Sequence, residues 1–267
     1  MSSIHTFVVL AYNECAYLEN CIKSILNQSV DTNVIIATAT PNKYIEQIAQ
    51  NNNIKIIVNN AHKNIGGDFN FAIKAGNTEL VTIAHQDDEY DYRYVENIIN
   101  KYKQFPKSLI LFTDYYEIKK HGKEYDNINL KVKRFLLKGI ANNHKSDKIK
   151  NKRNILKFGN PICCPSVSFS KKNIRKEVLE KLFISNMKSN VDWEAWEVLS
   201  KEKGNFIYIN KPLMGHRISE ESTTSKIIAE NIRTKEDLAI LEKFWPKPVA
   251  KLINKVYSKS EQNNELK

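Results

Sequence analysis

Cysteine is scarce in this 267-residue chain and badly spaced for chemistry. The four residues, Cys15, Cys21, Cys163 and Cys164, form no Cys-x-x-Cys pair and have no histidine cluster beside them. That excludes a zinc ribbon and a disulfide scaffold, and it suits a reduced, cytoplasmic interior. Long apolar runs are missing too: none approaches the roughly 18 residues of a membrane span. The only apolar stretch near the start is broken by Asn13 and Glu14, so neither a span nor a signal peptide is expected. No Gly-rich loop bearing Lys or Arg follows that stretch, which weighs against a nucleotidyltransferase. Acidic residues are in deficit, 30 against 41 Lys and Arg, leaving a net charge of +11.

What is present reads as a globular α/β protein. An apolar fraction of 42% is enough for a core, and the length suits one large domain with an appendage. The excess positive charge is concentrated. Between Lys131 and Lys157 stand ten Lys or Arg against Asp147 alone. Such a segment prefers anionic surroundings, or it is a solvated loop. Nucleic acid is disfavoured, because only Phe135 and Phe158 interleave the charges where stacking readout needs several aromatics.

The first half alternates strands and helices. Phe7–Ala11 reads as a strand, followed by the polar turn Tyr12-Asn13-Glu14. A helix then places Leu18, Cys21, Ile22, Ile25 and Leu26 on one face. Val34–Ala37 and Ile54–Val58 are further strands. Between them Thr40 reads as an N-cap, with Pro41 at the first helical position. Asn64 to Asp68, with Gly66 and Gly67, opens a third helix, and Tyr94 to Tyr102 forms a fourth. Ser108–Thr113 is a strand, and Tyr115–Ile118 with His121-Gly122 an antiparallel excursion. This alternation predicts a mostly parallel, Rossmann-type sheet flanked by helices. In the second half, Pro161 to Phe169 reads as an apolar loop, followed by a helical stretch to Met187 and a strand Asn205–Ile209. In the tail Val249, Leu252, Ile253 and Val256 form an apolar stripe, while Lys247, Lys251, Lys255 and Lys259 recur every fourth residue.

The most informative stretch is Val81 to Asp91. A buried strand stops at His85 and delivers four acidic residues in five positions, Asp87, Asp88, Glu89 and Asp91. Carboxylates so close raise one another's pKa unless a cation lies between them. A hard divalent ion, Mg²⁺ or Mn²⁺, uses one or two carboxylates and completes its shell with water and phosphate oxygens. An acidic loop beginning the next helix is the plainer alternative. The position favours the metal, because open α/β sheets bind ligands at the carboxyl ends of their strands, where Tyr12, Asn13 and Glu14 also lie.

The ordered set Tyr12-Asn13-Glu14, Ser24 to Gln28, Gly66 and Asn70, Asp87-Asp88 and Asp192-Trp193 resembles the family-2 glycosyltransferases with the GT-A fold, over about residues 5 to 224. The resemblance implies an inverting transfer from a nucleotide-diphosphate sugar, most often a UDP-sugar, in cell-surface or capsular polysaccharide synthesis. It implies that Ala11, Tyr12, Asn13, Glu14, Gly66, Asn70, Asp87 and Arg217 bind the donor. Asp88 with Asp87 would hold the metal, and Asp192 would be the base. The sequence departs from the family at Ala11 for a frequent proline, His85 for an aspartate, Phe69 for an arginine and Ser219 for a histidine. Ala37 to Pro41 replaces the Asp-rich loop that usually contacts the base.

The expected domain is 1–224, with a nucleotide half over 1–120 and an acceptor half over 121–224; a helical extension spans 225–267. Expected partners are a glycan acceptor, lipid-diphosphate-linked or free, and the cytoplasmic face of the membrane; a homo-oligomer is a further expectation. Asp192 has an alternative as a helix cap, and His216 as an ordinary surface or core histidine. Another metal-dependent nucleotide-sugar enzyme, or a catalytically silent glycan- or nucleotide-binding module, is the competing reading.

Overall fold

A computed structural model describes residues 3–61, 64–183, 186–218 and 223–265. Four parallel strands form its nucleotide half: β1 (His5–Ala11), β2 (Asn33–Thr38), β3 (Lys55–Val58) and β4 (Leu80–His85). Helices α1 (Leu18–Leu26), α2 (Lys43–Asn51) and α3 (Ile65–Ala75) connect them. Each strand is a short apolar run ending in polar residues, so side chains alternate between the two faces of the sheet. Phe7, Val9 and Ala11 enter one core with Leu18, Ile22 and Ile25, whereas Val8 enters the other with Phe69 and Ile83.

After β4 come the two-residue β5 (Glu89–Tyr90), α4 (Tyr94–Gln104) and β6 (Ser108–Lys119), which turns into β7 (Gly122–Glu124). Then follow α5 (Ile128–Leu137), α6 (Ile149–Leu156), β8 (Val167–Ser170), the short α7 (Lys176–Leu179), α8 (Val191–Ser200) and β9 (Asn205–Arg217). The sheet order is β3-β2-β1-β4-β8-β6-β9-β5, with β7 on β6. The sheet is parallel except where β8 runs against both β4 and β6, β5 against β9, and β7 against β6.

Several expectations need correction. Asn42, not Thr40, caps α2: its backbone is extended and its side chain accepts from Ile45 N at 2.9 Å. Thr40 is engaged elsewhere, its Oγ1 accepting from Asn13 N at 2.7 Å. The apolar loop ending at Phe169 closes as β8 in the middle of the sheet, and the helical stretch before Met187 shrinks to α7. The strand from Asn205 runs on through Leu213 to Arg217.

The basic segment is helical, and its charges are partly turned inward. Lys152 is fully buried and donates to the carbonyls of Glu202 and Gly204, and burial lowers its pKa to about 8. Arg153 pairs with the buried Glu197 at 2.6 Å, and Arg134 with Asp114 at 2.7 Å.

Two helices close the described chain, α9 (Thr223–Leu241) and α10 (Lys247–Glu265). Ile240, Leu241 and Ala250 are buried in the same core as Trp193 and Trp196 of α8. Of the expected tail stripe only Ile253 packs on that core, together with Tyr257; Val249, Leu252 and Val256 are exposed.

Candidate active site

The carboxyl ends of β1, β2 and β4 enclose a cleft of about 680 Å³, lined by Ala11, Tyr12, Thr40, Asp68, Phe69, Gln86 and Asp87 among others. The turn after β1 is held open by two contacts. Tyr12 exchanges both backbone groups with the Gln86 amide, donating to Oε1 at 2.9 Å and accepting from Nε2 at 3.0 Å. Asn13 adopts φ 53°, a left-handed conformation that asparagine tolerates better than most residues, and its N–H points at Thr40. Tyr12 and Glu14 are left exposed at the rim.

The acidic stretch is fixed from across the sheet. Because β5 pairs antiparallel with β9, Glu89 opposite Gly215, the end of β9 lies directly against Asp88. Asp88 is fully buried; its Oδ1 accepts from Arg217 N at 2.9 Å and lies 3.1 Å from His216 Nδ1. Arg217 also donates from Nε to the Asp87 carbonyl and from Nη2 to Glu89, both at 2.8 Å, and its guanidinium stacks on Tyr17. Asp87 itself faces the cleft. Burial, and after it the charge of Asp88, pushes its carboxyl above the usual range, while His85 and His216 oppose this. For His216 burial alone would lower the imidazole, but the Asp88 charge and hydrogen bond, with Asp87, hold it above the ordinary value.

These residues suit a divalent ion in one respect. Asp88 Oδ2 is buried and has no hydrogen-bond partner, its nearest ion-pair neighbour being His85 Nδ1 at 3.8 Å, and a buried carboxylate oxygen so placed has room for a closer cation. Among the described residues no group of three or more His, Cys, Asp or Glu forms a complete ligand set. A site that relies on phosphate oxygens and water does not need one.

Asp192 does not line this cleft. It lies in the first turn of α8, behind the cap position Asn190, so it is not the N-cap, although its carboxylate supports that first turn. Its Oδ2 accepts from Asn160 at 2.7 Å and its Oδ1 from Trp193 N at 2.8 Å. Burial pushes its pKa up, and these bonds with the charges of Arg233 and Lys133 pull it back. Cys163 and Cys164 feel both acidic centres: each thiol, raised chiefly by burial, is raised further by Asp88 and Asp192, and Lys133 opposes this at Cys163.

Gly66 and Asn70, expected at the donor, both lie against Phe183. A Cβ on Gly66 would lie 1.9 Å from the Phe183 carbonyl oxygen, and Asn70 Oδ1 accepts from Phe183 N at 3.1 Å. From the same helix Ile65, Asp68 and Phe69 line the cleft. Asp68 is held by Asn59 at 2.7 Å, and burial raises its pKa against that bond. Sequence reasoning also passed over Gln86, whose only signal was its place between His85 and Asp87. Ser219 lies outside the described residues.

With this geometry in view, the comparisons with known proteins are specific. The family model described as Glycosyl transferase family 2 matches residues 6–183. No curated protein matches. Among solved structures, S. aureus TarS 1-349 in complex with UDP-GlcNAc is similar at 13% identity and TM-score 0.59, over 94% of this chain and 70% of that one. The mannosyltransferase PcManGT from Pyrobaculum calidifontis, in complex with GDP-Man and Mn²⁺, is similar at 12% identity and TM-score 0.57, over 96% of this chain and 69% of that one. At these identities the likeness is one of fold, a GT-A arrangement.

Proposed function

The chain belongs to glycosyl transferase family 2, and from that premise we propose that it moves a sugar from a nucleotide-diphosphate donor to an acceptor hydroxyl, inverting the anomeric centre. The observation that carries the reading is the pairing of β5 with β9, which brings Asp88, His216 and Arg217 together directly behind Asp87, a residue that lines the Tyr12 cleft. Asp87 and Asp88 would hold Mg²⁺ or Mn²⁺. That ion, when bound, neutralises charge developing on the departing diphosphate. The solved structure of PcManGT with Mn²⁺ supports this assignment.

Each protein group has a part. Ala11, Tyr12 and Asn13, clamped by Gln86 and Thr40, shape the nucleoside end of the cleft. Arg217 fixes the backbone of Asp87 and the side chain of Glu89, so the carboxylates meet the donor already oriented. Asp192 takes the proton from the acceptor hydroxyl as that oxygen attacks the anomeric carbon. Its raised pKa suits a base that must also let the proton go. We take residues 1–224 as the transferase domain and 225–267 as a helical extension that braces it.

A UDP-sugar is the donor class we propose. TarS with UDP-GlcNAc supports it, while the GDP-Man complex of PcManGT makes GDP the comparison to run. For the acceptor we propose a lipid-diphosphate-linked glycan of cell-surface polysaccharide synthesis, met at the cytoplasmic membrane face. The support is physical: α5 exposes Ile128, Val132 and Phe135, and α10 exposes Val249, Leu252 and Val256, both among lysines. No helix of the described residues is long and apolar enough to cross a membrane, so attachment would be peripheral.

The test is calorimetric titration with UDP and GDP, with and without Mn²⁺, followed by transfer assays from a panel of nucleotide sugars. We expect Mn²⁺-dependent binding of one diphosphate that Asp88→Ala abolishes and Asp87→Ala weakens. Unchanged metal-dependent affinity in the Asp88 variant would defeat the assignment.

A further inference from the structure

Lys133 differs from the other cations of its segment. Lys131 pairs with Asp126 at 3.2 Å and Arg134 with Asp114 at 2.7 Å. Lys133, half-buried between them on α5, has no carboxylate of the described residues within ion-pair distance. Its one hydrogen bond goes from Nζ to the hydroxyl of Tyr115 at 2.8 Å. An ammonium carries three donors, and holding it half-buried against a single neutral partner is costly. Such a group is completed by an anion.

The surroundings say which anion. The ring of Tyr115 meets His216 edge-on, centroids 6.3 Å apart, and His216 lies against Asp88 at 3.1 Å. Lys133, Tyr115, His216 and Asp88 are thus a continuous line from a cation to the carboxylate pair at the end of β4. The charge of Lys133 is also felt at Asp192. The same charge acts on His216, so Lys133 is near enough to influence both the carboxylate end of β4 and the proposed base.

Resting on the glycosyltransferase reading, we infer that Lys133 is a ligand of the donor's terminal phosphate, the β-phosphate that leaves when the sugar is transferred. In that step the bond between the anomeric carbon and the β-phosphate oxygen breaks, and its electron pair stays on the phosphate. The acceptor oxygen bonds to the anomeric carbon and its proton goes to Asp192. Lys133 remains protonated throughout and donates a hydrogen bond that strengthens as the phosphate gains charge. Tyr115 is a positioning residue that aims the ammonium.

The experiment compares diphosphate with monophosphate, UDP with UMP and GDP with GMP, by calorimetry in Mn²⁺ for the parent, Lys133→Met and Lys133→Arg. Lys133→Met is expected to lose roughly 10- to 100-fold in diphosphate affinity, one charge-assisted hydrogen bond, with monophosphate affinity nearly unchanged. Lys133→Arg should recover most of the loss. Tyr115→Phe should show a smaller loss of the same kind, and it decides the matter if Lys133→Met does not fold. An unchanged ratio of diphosphate to monophosphate affinity overturns the inference. So does a normal ratio with a raised acceptor KM, which would move Lys133 to the acceptor. If the parent binds no nucleotide, the glycosyltransferase reading fails along with it.

Discussion

Around Asp87 the chain is held by bonds between side chains and backbone groups at the ends of the strands. Gln86 grips both polar groups of Tyr12, Arg217 grips the carbonyl of Asp87, and Asp88 is gripped by Arg217 N. Around Asp192 the support comes from carboxylates further along the chain, in α9. Glu236 accepts from three successive N–H groups, Lys188 at 2.6 Å, Ser189 at 2.9 Å and Asn190 at 3.0 Å. Asp237 accepts from the Asn190 side chain at 2.7 Å. Along α8 itself, Lys243 binds Glu194 in the first turn and Arg153 binds Glu197 further on. The donor side is thus tied together by the strand ends themselves, β1 to β4 and β4 to β9, whereas the proposed base rides on a helix braced by the C-terminal extension. Changes in the extension should reach the chemistry without touching donor binding.

The largest expected effect lies at the base itself. Asp192→Asn keeps the shape and the bond from Trp193 N but cannot take a proton. We expect kcat to fall about 10²- to 10⁴-fold, the usual worth of general-base help, with donor Kd unchanged. Transfer at the parental rate would mean that Asp192 only stabilises the first turn of α8.

Removing the brace is expected to cost less. Glu236→Ala leaves three N–H groups ahead of α8 to whatever water reaches them, and unsatisfied buried groups cost about 1–3 kcal/mol each. Lys188 is exposed and readily rehydrated, Asn190 is not. We expect a kcat loss of roughly tenfold through misplacement of Asp192, with donor affinity intact. Glu236→Gln, which keeps one accepting oxygen, should fall between. Equal losses in donor affinity and turnover would break the contrast between the two sides.

The same contrast explains what was legible in the sequence. On the donor side every strand is an apolar run with its own polar turn, so β1 to β4 and the acidic end at Asp87 could be read from short windows. The contacts of Gly66 and Asn70 with Phe183 could not be read there, because Phe183 lies more than a hundred residues away in sequence. On the acceptor side most information is of that distant kind. Cys163-Cys164-Pro165 reads as a loop, and only the exposed edges of β4 and β6 make the following residues a strand. No local pattern tells Lys133 and Lys152, which turn inward, from Lys131 and Lys150, which do not. Burial of a lysine depends on the partners that tertiary structure supplies. Glu236 likewise looks like any charge on a solvated helix until the loop before α8 is set against it.

The smallest expected effects concern the outer surface, where the two sides differ again. The donor half leaves exposed mainly tyrosines, with single aliphatic residues such as Leu26 and Ile65. On α5 the exposed residues Ile128, Val132 and Phe135 follow helical spacing, flanked by the exposed lysines Lys131 and Lys138. Phe135 keeps 66% of its surface accessible, far more than a core-facing aromatic would. An apolar stripe edged by lysines fits an anionic bilayer, with side chains entering the interface and ammonium groups at the phosphates. Each lysine near such a surface contributes about 1 kcal/mol, so Lys138→Ala should weaken vesicle binding roughly fivefold. We expect co-sedimentation with vesicles containing acidic phospholipid, little with neutral ones, and a steep decline as salt shortens the Debye length. Phe135→Ser should reduce binding at every salt concentration, since its contribution is not electrostatic, and should leave thermal stability unchanged because the side chain packs on little of the protein. Equal recovery with acidic and neutral vesicles, or none with either, would reduce the stripe to a solvated face and leave α5 with the site-facing role of Lys133 alone.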